Sequence, residues 1–210
     1  MDRAPSLCGV ILAAGDSTRM GSDKALLPWP PAPPGQPSAG TFLSAAIESL
    51  SPSTEIVIVV TGNNTSVIAP FVYAAGASLV VNPEPSRGQF SSLQIGLQEV
   101  LNRGRDAAMV TLVDRPPVRP ETILRLTQAF CAAVSRRKWA AVPQFEGKHG
   151  HPIVLAREMI EAFLRASPTG TAREVEHQND EHIEYVTVVD SAVITNINTP
   201  EQYAALSTSR

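Results

Sequence analysis

The feature that most constrains this chain is an apolar run near its start, Cys8-Gly9-Val10-Ile11-Leu12. It passes without a break into Ala13-Ala14-Gly15-Asp16-Ser17-Thr18-Arg19-Met20-Gly21-Ser22-Asp23-Lys24. A short apolar run with no polar alternation reads as a strand buried on both faces. Parallel sheets covered by helices on both sides need such strands. The small residues that follow let the backbone come close to a ligand. Arg19 and Lys24 add two cations to the exposed backbone N–H groups of that loop, a combination that suits a polyphosphate.

The rest of the chain repeats the pattern. Residues 55–61, 77–81, 107–113 and 139–143 are short and apolar and predict strands. Residues 42–50, 67–75, 91–102 and 121–134 carry helical spacing, with Ile123, Leu126, Thr127 and Phe130 on one face of the last. Pro120 fits the first turn of that helix, where a missing N–H costs nothing. Alternating strands and helices predict an α/β fold with an open, mostly parallel sheet. In such folds ligands sit beyond the C-terminal ends of the strands, which puts the opening loop and the turn at Asp114 on one edge. Residues 28–40 break the alternation: Pro28, Pro30, Pro31, Pro33, Pro34 and Pro37 exclude a helix or a central strand. They read as a surface insertion, with a lid over the ligand as the sharper alternative. The whole of 1–210 reads as one domain carrying this insertion.

Composition narrows the function classes. A net charge of −3 argues against a non-specific nucleic-acid binder, so any bound anion must be held by local cations. The two cysteines, Cys8 and Cys131, fit neither a metal spacing nor a disulfide framework, which is the pattern of a reduced, cytoplasmic setting. No basic segment leads into a long apolar stretch, and no apolar run matches the length of a membrane span, so neither export nor a membrane partner is expected.

Asp114 follows the run at 107–113 and precedes Pro116-Pro117. A carboxylate there can hold a divalent cation such as Mg²⁺, which takes oxygen ligands, or it can simply start the turn. Near the C-terminus, Asn196-Ile197-Asn198-Thr199-Pro200-Glu201-Gln202 reads as a helix start: Thr199 as N-cap, Pro200 as first residue, Gln202 as the box partner. The cap leaves Asn196 and Asn198 unexplained; their carbonyls could complete an oxygen shell. His149 and His151 lack the spacing of a zinc site and read as structural or acceptor-site residues. Trp139 reads as core, and Trp29 lies in the proline loop. Arg136-Arg137-Lys138 reads as a helix-end charge cluster.

These segments together resemble a known family. The run from Leu12 to Pro28 resembles the signature of MobA-like nucleotidyltransferases, which include the molybdenum cofactor cytidylyltransferases and guanylyltransferases. The likeness continues through Asn82-Pro83 with Gly88, Ser91-Ser92-Leu93 and Gly96-Leu97, then Asp114-Arg115-Pro116, then Gly147 with Gly150-His151-Pro152. It extends to Gly170–Glu174 and to Asn196–Glu201. One glycine-rich loop is a weak signal; six ordered segments are a strong one. The resemblance implies a single Rossmann-like, three-layer domain of the nucleotide-diphospho-sugar transferase kind. It implies transfer of a nucleoside monophosphate from a nucleoside triphosphate to a phosphorylated acceptor, a molybdenum cofactor precursor such as molybdopterin, with pyrophosphate leaving and Mg²⁺ as cofactor. It implies that Leu12, Ala13, Ala14, Gly15 and Ser92 approach the nucleotide, that Arg19 and Lys24 neutralise its phosphates, and that Asp114, Asn198 and Asn196 hold the metal. A molybdoenzyme partner follows from the same likeness.

The chain departs from the family pattern in places that matter. Many of its cytidylyltransferases carry Asp-Gln-Pro and end in Asp-Ile-Asp-Thr-Pro. Here Arg115 replaces Gln, and Asn196 and Asn198 replace both aspartates. The Leu-Ala-Ala-Gly opening favours CTP, whereas the Asn-x-Asn ending looks more like a guanylyltransferase; CTP is placed ahead of GTP. Another phosphorylated metabolite as acceptor, or a catalytically weak nucleotide-binding accessory of a molybdoenzyme, are the alternatives.

Overall fold

A computed structural model describes residues 6–15, 20–31 and 38–206. Its first strand, β1 (Leu7–Leu12), is buried at every residue. It lies in parallel between β4 (Ile56–Thr61) and β6 (Ala107–Leu112). Successive side chains of a strand point to opposite faces. Cys8, Val10 and Leu12 therefore enter one core and Leu7 and Ile11 the other. The first core is closed by α3 (Gln89–Asn102), α5 (Arg157–Arg165) and α6 (Ala172–Gln178), through Leu93, Leu97, Met159, Ile160, Phe163 and Val175. The second is closed by α1 (Phe42–Leu50), α2 (Thr65–Ala74) and α4 (Pro120–Val134), through Leu43, Ile47, Ile68, Val72, Leu126 and Phe130. The result is the expected three-layer α/β arrangement.

The sheet runs β10-β7-β9-β6-β1-β4-β5, where β5 is Ser78–Val81, β7 is Ala140–Phe145, β9 is Ile153–Ala156 and β10 is Ile183–Thr187. Most neighbours are parallel. The exception is β9, antiparallel to both β6 and β7. The two-residue strand β8 (Lys148–His149) hairpins onto β7. Chain order reverses at β1, with β4 on one side and β6 on the other, and ligands of open α/β sheets bind at such a point. The proline-rich insertion starts and ends as a small antiparallel ribbon, β2 (Pro28–Trp29) against β3 (Gly40–Thr41). Pro33, Pro34 and Pro37 lie outside the described residues. No helix among the described residues is long and apolar enough to cross a membrane.

One close approach fixes the distance between helix and sheet. A Cβ on Gly96 would stand 2.8 Å from Val10 Cγ1 and 2.9 Å from Val60 Cγ2, so α3 lies against the sheet where only glycine fits. That contact sets where the N-terminus of α3 meets the opening loop. Gly96→Val should destabilise the protein by roughly 1–3 kcal/mol through overpacking, read as a lower urea midpoint at unchanged m-value. An unchanged midpoint would show that the helix is not seated this closely.

Candidate functional site

The site forms where β1 and β6 end. Leu12 pairs with Leu112, and the chain leaves both strands on the same edge. Ala13 N–H still donates to Val60 O (2.8 Å), holding the start of the loop on the sheet. Asn64 then ties both ends of the loop: its Nδ2 donates to Ala13 O (2.9 Å) and to Asp23 Oδ2 (2.7 Å). Asp23 Oδ1 accepts from Ala25 N and starts the 3-10 turn that carries Lys24.

A cleft of about 280 Å³ opens here, lined by Leu12, Ala14, Gly15, Lys24, Pro85, Gly88, Gln89, Ser92 and Leu112–Asp114. Ser92 is set by a buried amide. Asn82 Nδ2 donates to Ser91 Oγ and Ser92 Oγ (both 2.9 Å), and Asn82 Oδ1 accepts from Glu84 N. Of the residues expected to approach a nucleotide, Leu12, Ala14, Gly15, Lys24 and Ser92 line this cleft. Ala13 is buried beneath it with its carbonyl on Asn64. Arg19 lies outside the described residues.

Lys24 is the centre of the arrangement. Its ammonium donates to Asn198 Oδ1 at 2.8 Å and stands 3.3 Å from Asp114 Oδ2. The other carboxylate oxygen, Asp114 Oδ1, is buried with no hydrogen-bond partner among the described residues. Two oxygens already gathered round one cation, with a third unpartnered beside them, are a donor set for a hard cation. No group of three or more His, Cys, Asp and Glu among the described residues could hold a metal. Any divalent ion here would therefore take few protein ligands and fill its shell from phosphate and water. Asn198 is delivered by backbone: Ile197 N donates to Asp114 O (2.8 Å), and Asn198 N donates to Gln202 Oε1 (2.7 Å). Ile197 is buried against Met20 and Phe42, a cluster that also holds Trp29 and Tyr203. Asn196 is exposed, whereas Asn198 Oδ1 accepts from the Lys24 ammonium.

A second cleft of about 460 Å³ adjoins the first, sharing Leu12, Gly88, Gln89 and Leu112. Phe90, Leu93, Val110 and Ile153 make its apolar wall; His151, Thr169, Thr171 and Glu176 make its polar one. Burial raises the Glu176 carboxyl above its ordinary range. His151 is pushed down to about 3, mainly by burial and then by the charge of Arg115. The two histidines thus part company: His149 is exposed and stacks on Tyr185 at 4.2 Å, while His151 is part of the second cleft. Trp139 is half-buried and stacks on His182 at 3.7 Å. The basic run is used locally, Arg136 on Glu184 and Lys138 on the Glu181 carbonyl. Cys8 is buried, its thiol pushed up to about 12 by burial, and Cys131 is free and exposed.

The residues that sequence reasoning passed over are Asn64, Asn82 and Glu176. Asn82 belonged to a recognised segment without a role; Asn64 had only the turn-forming Gly62-Asn63-Asn64 run as a signal.

Comparison with known proteins identifies the family. Residues 9–183 match the family model described as the MobA-like NTP transferase domain. The chain belongs to this family. A probable molybdenum cofactor guanylyltransferase from Rhodopirellula baltica is 32% identical over 126 residues, 60% of this chain and 56% of that one. The molybdenum cofactor cytidylyltransferase of Escherichia coli is 22% identical over 92% of both. Among solved structures, Rv0371c from Mycobacterium tuberculosis H37Rv is 26% identical, with a TM-score of 0.77 over 99% of this chain and 100% of that one. The architecture is that of the nucleotide-diphospho-sugar transferases.

The neutral His151 has a measurable consequence. Its folded-state pKa lies near 3, below the ordinary 6.5 of an unfolded chain. Its contribution to stability is therefore complete above pH 6.5. It is lost as pH falls, because only the unfolded chain takes up the proton, at a rate of up to about 1.4 kcal/mol per pH unit. Urea unfolding between pH 7 and pH 4 should show a shallower decline for His151→Gln than for the wild type. Parallel declines would contradict a His151 held neutral by the fold.

Proposed function

We propose that this protein transfers a nucleoside monophosphate from a nucleoside triphosphate to a phosphorylated acceptor, and that the acceptor is a molybdenum cofactor precursor. The observation that carries the reading is the Lys24 ammonium between Asp114 and Asn198, at a cleft floored by the small residues of the opening loop. Reaction at phosphorus needs positioning and charge neutralisation more than covalent help from the protein. An acceptor phosphate oxygen attacks the α-phosphorus, and the bond to the bridging oxygen breaks as pyrophosphate leaves. Ala14 and Gly15 let the triphosphate lie against the backbone. Lys24 leaves its resting partners to meet charge at the reacting centre, and Arg19 meets the leaving phosphates. Asp114 and Asn198 would supply oxygens to Mg²⁺, which would neutralise phosphate charge there. The second cleft takes the acceptor beside the reacting phosphate, in reach of His151 and Glu176.

The nucleotide is CTP on the Leu-Ala-Ala-Gly opening. The alternative is GTP, favoured by the Asn-x-Asn ending and by the guanylyltransferase name of the Rhodopirellula baltica relative. Thermal unfolding with each of the four ribonucleoside triphosphates, with and without Mg²⁺, decides between them. At a hundredfold excess over the dissociation constant, the bound nucleotide adds about 2.7 kcal/mol to stability. With the nucleotide that shifts the transition, Lys24→Ala and Asp114→Ala should each lower acceptor-dependent pyrophosphate release by about a hundredfold or more. Turnover is compared per folded molecule, because the pair is partly desolvated, its side chains 12% and 26% exposed. No shift with any nucleotide, or variants that misfold yet keep full turnover per folded molecule, would overturn the reading.

A further inference from the structure

Arg115 is the residue by which this chain departs from the Asp-Gln-Pro turn of many cytidylyltransferases it resembles. The side chain does not enter the first cleft. Its Nη1 donates to Val193 O at 2.7 Å. The same carbonyl accepts from His151 N at 2.9 Å. The fit is tight: a Cβ on Gly150 would lie 2.2 Å from Val193 O. Val193 belongs to a 3-10 turn, Ser191–Ile194, whose start is capped by the buried Asp190. Five residues further on is Asn198, held on Lys24. Between them Ile197 N donates to Asp114 O. The segment from Asp190 to Asn198 is thus fastened at both ends, and Arg115 holds it in the middle.

Arg115 is half-buried, and desolvating part of a guanidinium is costly. Its Nε is buried with no partner among the described residues. An apolar side chain of similar length would avoid that cost and would lose one hydrogen bond to a carbonyl that His151 N also satisfies. Stability alone does not account for an arginine here.

We infer that Arg115 is a positioning residue: through Val193 O it sets the path of the C-terminal segment, and so the placement of the Asn198 carbonyl beside Asp114 where a divalent cation is held. This rests on the proposed use of Asp114 and Asn198 as cation ligands. Residues that orient ligands typically change metal affinity by tenfold or more when removed.

The test is direct Mn²⁺ binding, read by the electron paramagnetic resonance of the free ion, in the wild type, Arg115→Met, Asn198→Ala and the double variant. Thermal unfolding of each is recorded alongside. Arg115→Met should unfold at the same or a higher temperature than the wild type and bind Mn²⁺ roughly tenfold more weakly. In the Asn198→Ala background the same change should have little further effect, because the carbonyl it places is gone. Equal weakening in the two backgrounds would mean that Arg115 acts on the cation by a route other than Asn198, and tighter binding in Arg115→Met would mean that it acts only by repelling the cation. A lower unfolding temperature with unchanged Mn²⁺ binding would make it a structural residue. Any of these results overturns the inference and leaves the cation site standing. A wild type that binds no Mn²⁺ fails before any variant is measured, and removes the cation site and this inference together.

Discussion

The structure depends on the burial of β1. The strand is flanked by parallel partners on both edges and buried on both faces, and every other part of the site is measured from it. Burying an Ile or Leu side chain is worth about 1.5–3 kcal/mol. A one-residue slip of β1 would send Cys8, Val10 and Leu12 into the opposite core, so the register is tightly set. With the register set, Leu12 ends level with Leu112, and the loop that follows emerges beside the turn at Asp114. Gly96 carries the same constraint one layer outward, letting α3 press on Val10 and Val60 and bring Gly88 and Ser92 to the cleft.

On that apolar frame the polar groups are assembled from distant parts of the chain. Lys24 meets Asp114 across 90 residues and Asn198 across 174. Its side chain is only 12% exposed and that of Asp114 26%, so the pair is partly desolvated and less screened than a surface ion pair. Asn198 in place of an aspartate keeps the junction from becoming a lysine between two carboxylates. A neutral carbonyl holds the ammonium more weakly than a second charge would, which in the proposed reaction would ease its transfer to phosphate. The Asp114–Arg115 turn serves both sides of this assembly, with Asp114 O accepting from Ile197 and Arg115 reaching Val193.

Much of this was legible in the sequence, for identifiable reasons. The runs at 55–61 and 107–113 became β4 and β6 to within a residue, because doubly buried strands leave no polar alternation to confuse the reading. Pro120 starts α4 and Thr199 caps α7 (Pro200–Ala205), as short-range chemistry alone predicts. The cap differs in one detail. Gln202 Oε1 accepts from Asn198 N, not from the N–H of Thr199, and so helps to hold Asn198. Beyond residue 145 the reading was thin. α5 was within reach, since Met159, Ile160 and Phe163 share one buried face. The antiparallel direction of β9 was not, because four buried residues, Ile153–Ala156, look alike in either orientation. Nor could spacing show that Asn64 staples the opening loop or that Arg115 reaches Val193, since such contacts exist only after the sheet has formed.

The central claim is that the Lys24–Asp114–Asn198 junction is where triphosphate and divalent cation meet. The most direct measurement is a crystal structure of the protein with Mn²⁺ and a triphosphate whose α–β bridge is methylene, for the nucleotide that stabilises it best. The account predicts an anomalous manganese peak bonded to Asp114 and Asn198 oxygens, with the triphosphate along Ala14 and Gly15 and Lys24 turned onto it. Manganese bound elsewhere, or a nucleotide outside this cleft with Lys24 still on Asn198, would contradict it.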